Sequence, residues 1–343
     1  LEALASGEPA AHVITGTADV DGRTVFVFPG QGHQWTGMGA RLLDTSPVFH
    51  HHIGECAVAL RAYVDWDLVD VLRGTEGAPG FDRVDVVQPA SFAVMVALAR
   101  LWQHHGITPH AVTGHSQGEI AAAHIAGTLT LDDAARIVTL RSQAIATHLA
   151  GHGGMMSLPL PLTTVENHLT DHPGIEIAAV NGPNSTVVAG DPTALDTLHT
   201  HLNDNGIRAR KIPVDYASHT THVTAIENEL ATLLDGITPR TADIPLHSTL
   251  TGELIDGTTM TADHWYQNLR HQVRFATTIE NLARTGHRTF IEISAHPVLT
   301  MPIGDILDQH ADTPWTTTGA PAESAAATAI VSSPRGVIRT RNC

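Results

Sequence analysis

The chain has 343 residues, 42% of them hydrophobic and 16% charged, and a formal net charge of −16. Such a composition belongs to a globular protein with one large core and a smaller inserted or appended domain, and the acidic balance argues against general nucleic-acid binding. The two cysteines, Cys56 and Cys343, make neither a disulfide framework nor a metal cluster. A reducing cytoplasm and no metal are therefore expected. No apolar run approaches the length of a membrane span, and the N-terminus lacks the basic start and apolar block of a signal peptide, so no membrane association is expected.

Residues 1–22 read as the end of an upstream linker. Val25 to Phe28 form a continuous apolar run stopped by Pro29-Gly30, the pattern of a buried strand entering a glycine loop. Ser46-Pro47 opens a helix to about Leu60, with serine as N-cap and proline in the first turn. A buried helix is expected from about Pro89 to His105, ended by Gly106. Ala111 to Thr113 read as a short strand, Gly114 to Gly118 as a tight turn, and Glu119 to Ala126 as a helix stopped by Gly127. Thr130 to Asp133 fit an aspartate variant of the capping box, ahead of a helix to about Leu149.

The pattern then changes. Strand (Met155–Leu158), helix (Thr163–Asp171), strands (Ile175–Val180 and Thr186–Ala189), helix (Pro192–Asn205) and strand (Ile207–Val214) follow in the ferredoxin-like order. Helices and a strand over Thr289–Ile293 come next. The expected fold is α/β: an α/β-hydrolase-like large subdomain (23–152 and 217–318) with an inserted ferredoxin-like small subdomain (153–216). The tail 319–343, rich in Ala, Ser and Thr without periodicity, is expected to be irregular.

Gly114-His115-Ser116-Gln117-Gly118 matches G-x-S-x-G between a strand and a helix, the nucleophile-elbow context. The serine of such a turn is strained, so its neighbours must lack bulk. Its hydroxyl stands at a helix N-terminus, where the N–H of Gln117 can stabilise an oxyanion. The elbow is common to hydrolases and transferases. Arg141 lies 25 residues beyond Ser116 on a largely apolar helix. It either snorkels to the surface or waits in a pocket for an anion, where a guanidinium holds a carboxylate by two parallel hydrogen bonds. Gly30-Gln31-Gly32 forms a loop able to aim backbone N–H groups at a ligand, or a plain turn. His219 stands where the small subdomain returns to the large one and is a candidate base for Ser116. It is one of 24 histidines, most of which are surface residues.

VFVFPGQG, GHSQGE, LRSQA, VNGPNSTVVAG, YASH (Tyr216–His219) and ISAHPVL occur in this order. With these six motifs, residues 1–318 resemble the malonyl-CoA:acyl carrier protein transacylase family, and within it the acyltransferase domains of modular polyketide synthases. The resemblance implies Ser116 as nucleophile, His219 as general base and acid, and the N–H groups of Gln31 and Gln117 as oxyanion hole. It implies Arg141 as the holder of the acyl unit's free carboxylate, with His115 lining the pocket. It also implies a main-chain carbonyl near Asn268 that orients His219. No bound cofactor is implied. The donor would be an acyl-CoA, the acceptor the phosphopantetheine of an acyl carrier protein, and the neighbour a ketosynthase domain. RVDVVQ (Arg83–Gln88), Gln117 and YASH look like the methylmalonyl-selecting version; the malonyl version usually has HAFH. Ser218 in place of phenylalanine leaves room for an α-methyl group beside Tyr216. His33, His124 and Ala295 depart from the family's common residues. Arg208, Arg210 and Lys211 are the densest basic cluster, readable as a docking patch or as a solvated strand edge.

Overall fold

The structure is a computed structural model; it describes residues 20–310 and 314–319 in full, and the backbone of 329–332 and 338–341. Residues 1–19 of the expected linker lie outside the described residues.

The large subdomain is organised by β1 (Arg23–Phe28). β2 (Ala111–Gly114), β7 (Leu246–Ser248), β8 (His287–Glu292) and β9 (Thr316–Gly319) extend it into a five-stranded sheet in the order β7-β2-β1-β8-β9. All four pairings are parallel. A parallel sheet needs cover on both faces, and β1 provides for that by being apolar and buried from Val25 to Phe28. Phe26 and Phe28 enter one core cluster; Val25 and Val27 enter the other, on the opposite face.

The helices follow their caps. α1 (Ala40–Thr45) leads into α2 (Pro47–Leu60), where the Ser46 hydroxyl accepts the Phe49 N–H at 3.3 Å. α3 (Leu68–Arg73) is capped by Asp67 and closed by Gly74 in the left-handed conformation. α4 (Val84–His104) begins five residues before the expected start, with Pro89 inside its second turn. The proline leaves the carbonyl four residues earlier without its N–H, and burial of Val84, Val86 and Val87 offsets that loss. By length and hydropathy α4 could cross a membrane, contrary to the reading of the sequence, yet 89% of its apolar window is buried inside the protein. α5 (Gly118–Ile125) follows the elbow, and α6 (Leu131–His148) starts with Thr130 accepting the Asp133 N–H at 3.0 Å.

The small subdomain comprises β3 (Gly154–Leu158), α7 (Leu162–Leu169), β4 (Ile175–Gly182), β5 (Ser185–Gly190), α8 (Pro192–Asp204) and β6 (Arg210–Ile212). Its strand order, β4-β5-β3-β6, all antiparallel, is the ferredoxin-like arrangement. β6 is shorter than the sequence suggests. Ala209 N–H donates to the Ile207 carbonyl at 3.0 Å and Val214 N–H to Ile212 at 2.8 Å, so a three-residue turn bends the chain at each end. On this strand Lys211 pairs with Asp196.

Backbone contacts at two places help to join the subdomains. Gly153 N–H donates to the Asp215 carbonyl at 3.2 Å, and a Cβ on Gly153 would stand 2.5 Å from Ala217 N, so the entering and leaving segments cross in contact only a glycine allows. On the other side Val273 exchanges hydrogen bonds of 2.9 and 3.0 Å with Ala178 and Val180 of β4. Val273 lies between α10 (Ala262–Arg270) and α11 (Phe275–Arg284), and α12 (Thr300–His310) follows β8. α9 (Glu227–Leu233) lies between Tyr216 and β7 in the chain. In the tail expected to be irregular, Ala329–Ser332 and Ile338–Arg341 pair as antiparallel strands.

Candidate active site

Ser116 sits between β2 and α5 with φ 54°. Both elbow glycines are required by close approach. A Cβ on Gly114 would stand 2.2 Å from Glu119 N, and one on Gly118 would stand 2.2 Å from the Phe28 carbonyl oxygen. The turn therefore nests against the end of β1 and aims the serine outward.

Ser116 Oγ lies 2.8 Å from His219 Nε2. His219 also has positive φ, 65°, and its N–H donates to the Leu269 carbonyl at 2.8 Å. Its Nδ1 lies 2.8 Å from the His271 carbonyl oxygen. A carbonyl only accepts, so Nδ1 carries the proton and Nε2 is free to take one from Ser116. The orienting carbonyl was expected near Asn268 and belongs to His271, at the end of α10. Burial lowers the His219 pKa to about 3, with the His271 carbonyl opposing and the charges of His115 and Arg141 adding to the depression. The imidazole is thus held neutral at rest.

Asn268 has another place: its Oδ1 accepts from Arg141 Nη1 at 2.9 Å. Arg141, on α6, is fully buried, so it does not snorkel. Among the described residues its Nε and Nη2 have no partner. Burial lowers its pKa to about 10, with Tyr216 and Glu119 opposing, so it stays cationic near neutrality. A buried cation with one neutral partner leaves a large uncompensated desolvation cost, which an anion in the cavity would relieve.

The remaining predicted residues gather around this pair. His115 Nε2 lies 2.8 Å from Asn181 Oδ1 at the end of β4, and its ring leans on Phe275 at 5.6 Å. Gly30 abuts the elbow: a Cβ there would stand 3.8 Å from Ser116 Cβ. Gln31 Oε1 accepts from the Tyr216 hydroxyl and, at 3.2 Å, from Gln88 Nε2. Gln117 is buried, and its side-chain amide has no partner among the described residues. Ser218 is buried beside His219.

Behind the elbow lies a group that the sequence reading passed over. The fully buried Glu119 carboxylate accepts from Ser248 Oγ at 2.8 Å and Thr249 N at 3.0 Å, and it pairs with His264 Nε2 at 2.8 Å. The Thr249 hydroxyl lies 2.7 Å from the Gly114 carbonyl, tying this network to the turn. The lone carboxylate in GEIAAAHI, a helix otherwise polar only at His124, was the available signal.

A serine hydroxyl on a neutral, carbonyl-oriented imidazole, with a buried guanidinium nearby, is equipped for covalent acyl chemistry on an anionic substrate. Comparison with known proteins gives the family. Residues 25–331 match the acyl transferase domain family. The chain belongs to that family. This acyl transferase domain is 58% identical over 291 residues to the pikromycin polyketide synthase component PikAIII of Streptomyces venezuelae, covering 85% of this chain and 19% of that protein. It is 51% identical over 300 residues to mycoketide-CoA synthase of Mycobacterium tuberculosis, covering 87% of this chain and 7% of that protein. The chain therefore spans a small part of the curated relatives it matches. Among solved structures, the acyltransferase domain from module 8 of the salinomycin polyketide synthase superposes with a TM-score of 0.88 at 53% identity, covering 93% of this chain and 75% of that one. FabD from Acinetobacter baumannii, 24% identical with a TM-score of 0.77 over 88% of this chain and 94% of that one, shares the fold. The acyl transferase domain is thus of the polyketide synthase type.

Proposed function

We propose that this acyl transferase domain moves a carboxylated acyl unit, methylmalonyl in preference to malonyl, from coenzyme A to the phosphopantetheine thiol of an acyl carrier protein. Ser116 Oγ attacks the thioester carbonyl while its proton passes to His219 Nε2. The N–H groups of Gln31 and Gln117 receive the oxyanion, and among the described residues neither has a protein acceptor of its own. Collapse breaks the C–S bond, His219 returns the proton to the leaving thiolate, and an acyl ester remains on Ser116. The carrier thiol then attacks that ester, giving its proton to His219, which returns it to Ser116. The His271 carbonyl holds the imidazole tautomer through both halves.

The observation that carries the reading is Arg141: a buried guanidinium whose Nε and Nη2 have no partner among the described residues, linked through Asn268 to the loop that orients His219. It suits a substrate carboxylate, which an ordinary ester lacks. The preference for methylmalonyl rests on Ser218, whose small side chain leaves space for an α-methyl group. One methyl group is worth about 1–3 kcal/mol, roughly 10–200-fold, so preference rather than absolute exclusion is expected. A ketosynthase domain of the same synthase and an acyl carrier protein are the proposed partners, and the cytoplasm the proposed location.

The test is intact-mass spectrometry after brief incubation with equimolar malonyl-CoA and methylmalonyl-CoA. A methylmalonyl adduct, absent in Ser116→Ala, is expected. A malonyl adduct would overturn the preference. Free acid accumulating without an adduct would make the domain a hydrolase.

A further inference from the structure

Three segments far apart in sequence meet on one oxygen atom. Gln31 Oε1 accepts from the Tyr216 hydroxyl and from Gln88 Nε2. Gln31 lies 57 positions from Gln88 and 185 from Tyr216. An amide oxygen has two acceptor sites, and both are used. Tyr216 and Gln88 are each 4% exposed, so water competes little for these bonds. Tyr216 is anchored in turn by packing among Val84, Ile145 and Leu269.

The loop so held has little stiffness of its own. Gln31 is flanked by Gly30 and Gly32, and Gly32 has φ 122°, open to glycine alone. Yet this loop runs beside the nucleophile, since a Cβ on Gly30 would touch both the His115 carbonyl at 3.3 Å and Ser116 Cβ at 3.8 Å. An oxyanion donor acts only when it points where the charge develops, and a shift of a fraction of an ångström degrades it. A glycine-flanked donor needs an external anchor, and the side chain of Gln31 is the available handle.

We propose that Tyr216 and Gln88 are positioning residues for the Gln31 N–H, acting through the Gln31 side chain. The inference rests on the acyl-transfer mechanism proposed above and refines it. Within the Tyr216–His219 segment, Tyr216 sets the rate of acylation, whereas Ser218 sets the choice of acyl group.

The experiment is rapid-quench measurement of acyl-Ser116 formation, separately with malonyl-CoA and methylmalonyl-CoA. The proteins are wild type, Tyr216→Phe, Gln88→Met, Gln31→Ala and the Tyr216→Phe/Gln31→Ala double variant. Thermal melting of each establishes that it is folded. Tyr216→Phe keeps the buried ring and removes only the hydroxyl. It is expected to slow acylation about 10- to 100-fold with both donors alike, leaving KM within about twofold. Gln88→Met should follow the same pattern. Gln31→Ala keeps the N–H and loses the anchor, so the double variant should be no slower than Gln31→Ala alone. An unchanged rate in folded Tyr216→Phe, a changed donor ratio at unchanged rate, or multiplicative losses in the double variant would each overturn the proposal. If wild type forms no acyl-Ser116, the acyl-transfer reading fails and takes this one with it. A normal wild-type burst with unaffected variants sinks this inference alone.

Discussion

Ser116 and His219 share a backbone conformation as well as a hydrogen bond: φ is 54° and 65°, and among the described residues they are the only non-glycine positions with φ above zero. Their Oγ–Nε2 contact is 2.8 Å. Each left-handed residue costs on the order of 1–3 kcal/mol, held in place by the surrounding fold. The Gly114 and Gly118 contacts enforce the first, and the Leu269 and His271 carbonyls enforce the second.

This gives a prediction that separates strain from chemistry. Ser116→Ala and Ser116→Gly should both abolish acylation. Glycine relieves the left-handed strain and alanine does not, so Ser116→Gly should be more stable than Ser116→Ala by about 1 kcal/mol. Urea denaturation of the two variants measures the difference; equal stabilities would mean that the turn stores no strain.

Arg141 makes the opposite kind of trade. Its burial is complete and, among the described residues, its one hydrogen bond is to a neutral amide. Replacing it by methionine removes the desolvation cost of the cation and keeps much of the volume. Arg141→Met is therefore expected to leave stability unchanged or raise it by about 1–4 kcal/mol, while loading of carboxylated acyl units is lost. A marked loss of stability would mean that Arg141 serves the fold. Unchanged methylmalonyl loading would mean that it does not hold the carboxylate.

The sequence carried this site unevenly, for physical reasons. Ser116 was legible because a strained turn demands glycines at fixed spacing around it. The ferredoxin-like insertion was legible because alternating strands and helices announce their order. The orienting carbonyl could be placed only near Asn268, three residues from His271, because every residue has a carbonyl and none has a signature. Pro89 suggested a helix start, and tertiary burial of Val84 to Val87 overrode it. The meeting of Gln31, Gln88 and Tyr216 was hidden because nothing in local pattern links positions so far apart.

Glu119 tests how much of the elbow's rigidity comes from behind it. Its carboxylate satisfies Ser248, the Thr249 N–H and His264 at once, all out of water. Glu119→Ala would strand these donors in the core and is expected to cost about 3–5 kcal/mol in chemical denaturation. Glu119→Gln keeps the volume and one acceptor oxygen and should cost less. Should Glu119→Ala prove harmless, water must have entered to satisfy the donors, and the network would not brace the turn.

The histidines predict how the domain meets acid. Burial lowers the pKa of His219 to about 3 and of His33, His124 and His247 to about 4. His105, His115, His271 and His287 shift in the same direction. An unfolded histidine titrates at about 6.5, so below that pH the unfolded chain binds protons that the folded chain refuses. Stability should therefore be greatest above about pH 6.5 and fall steadily as pH drops toward 4. Glu292 opposes this, because burial raises its carboxyl pKa and the folded state takes its proton first. One carboxyl is outweighed by eight histidines. Melting temperature measured from pH 8 to pH 4 should thus be flat at first and then decline. His219 itself stays neutral through that range, so the acyl-Ser116 burst rate per folded molecule should not follow the decline down to about pH 5. A burst rate that titrates near 6.5 would mean that His219 is solvated enough to take up a proton at rest.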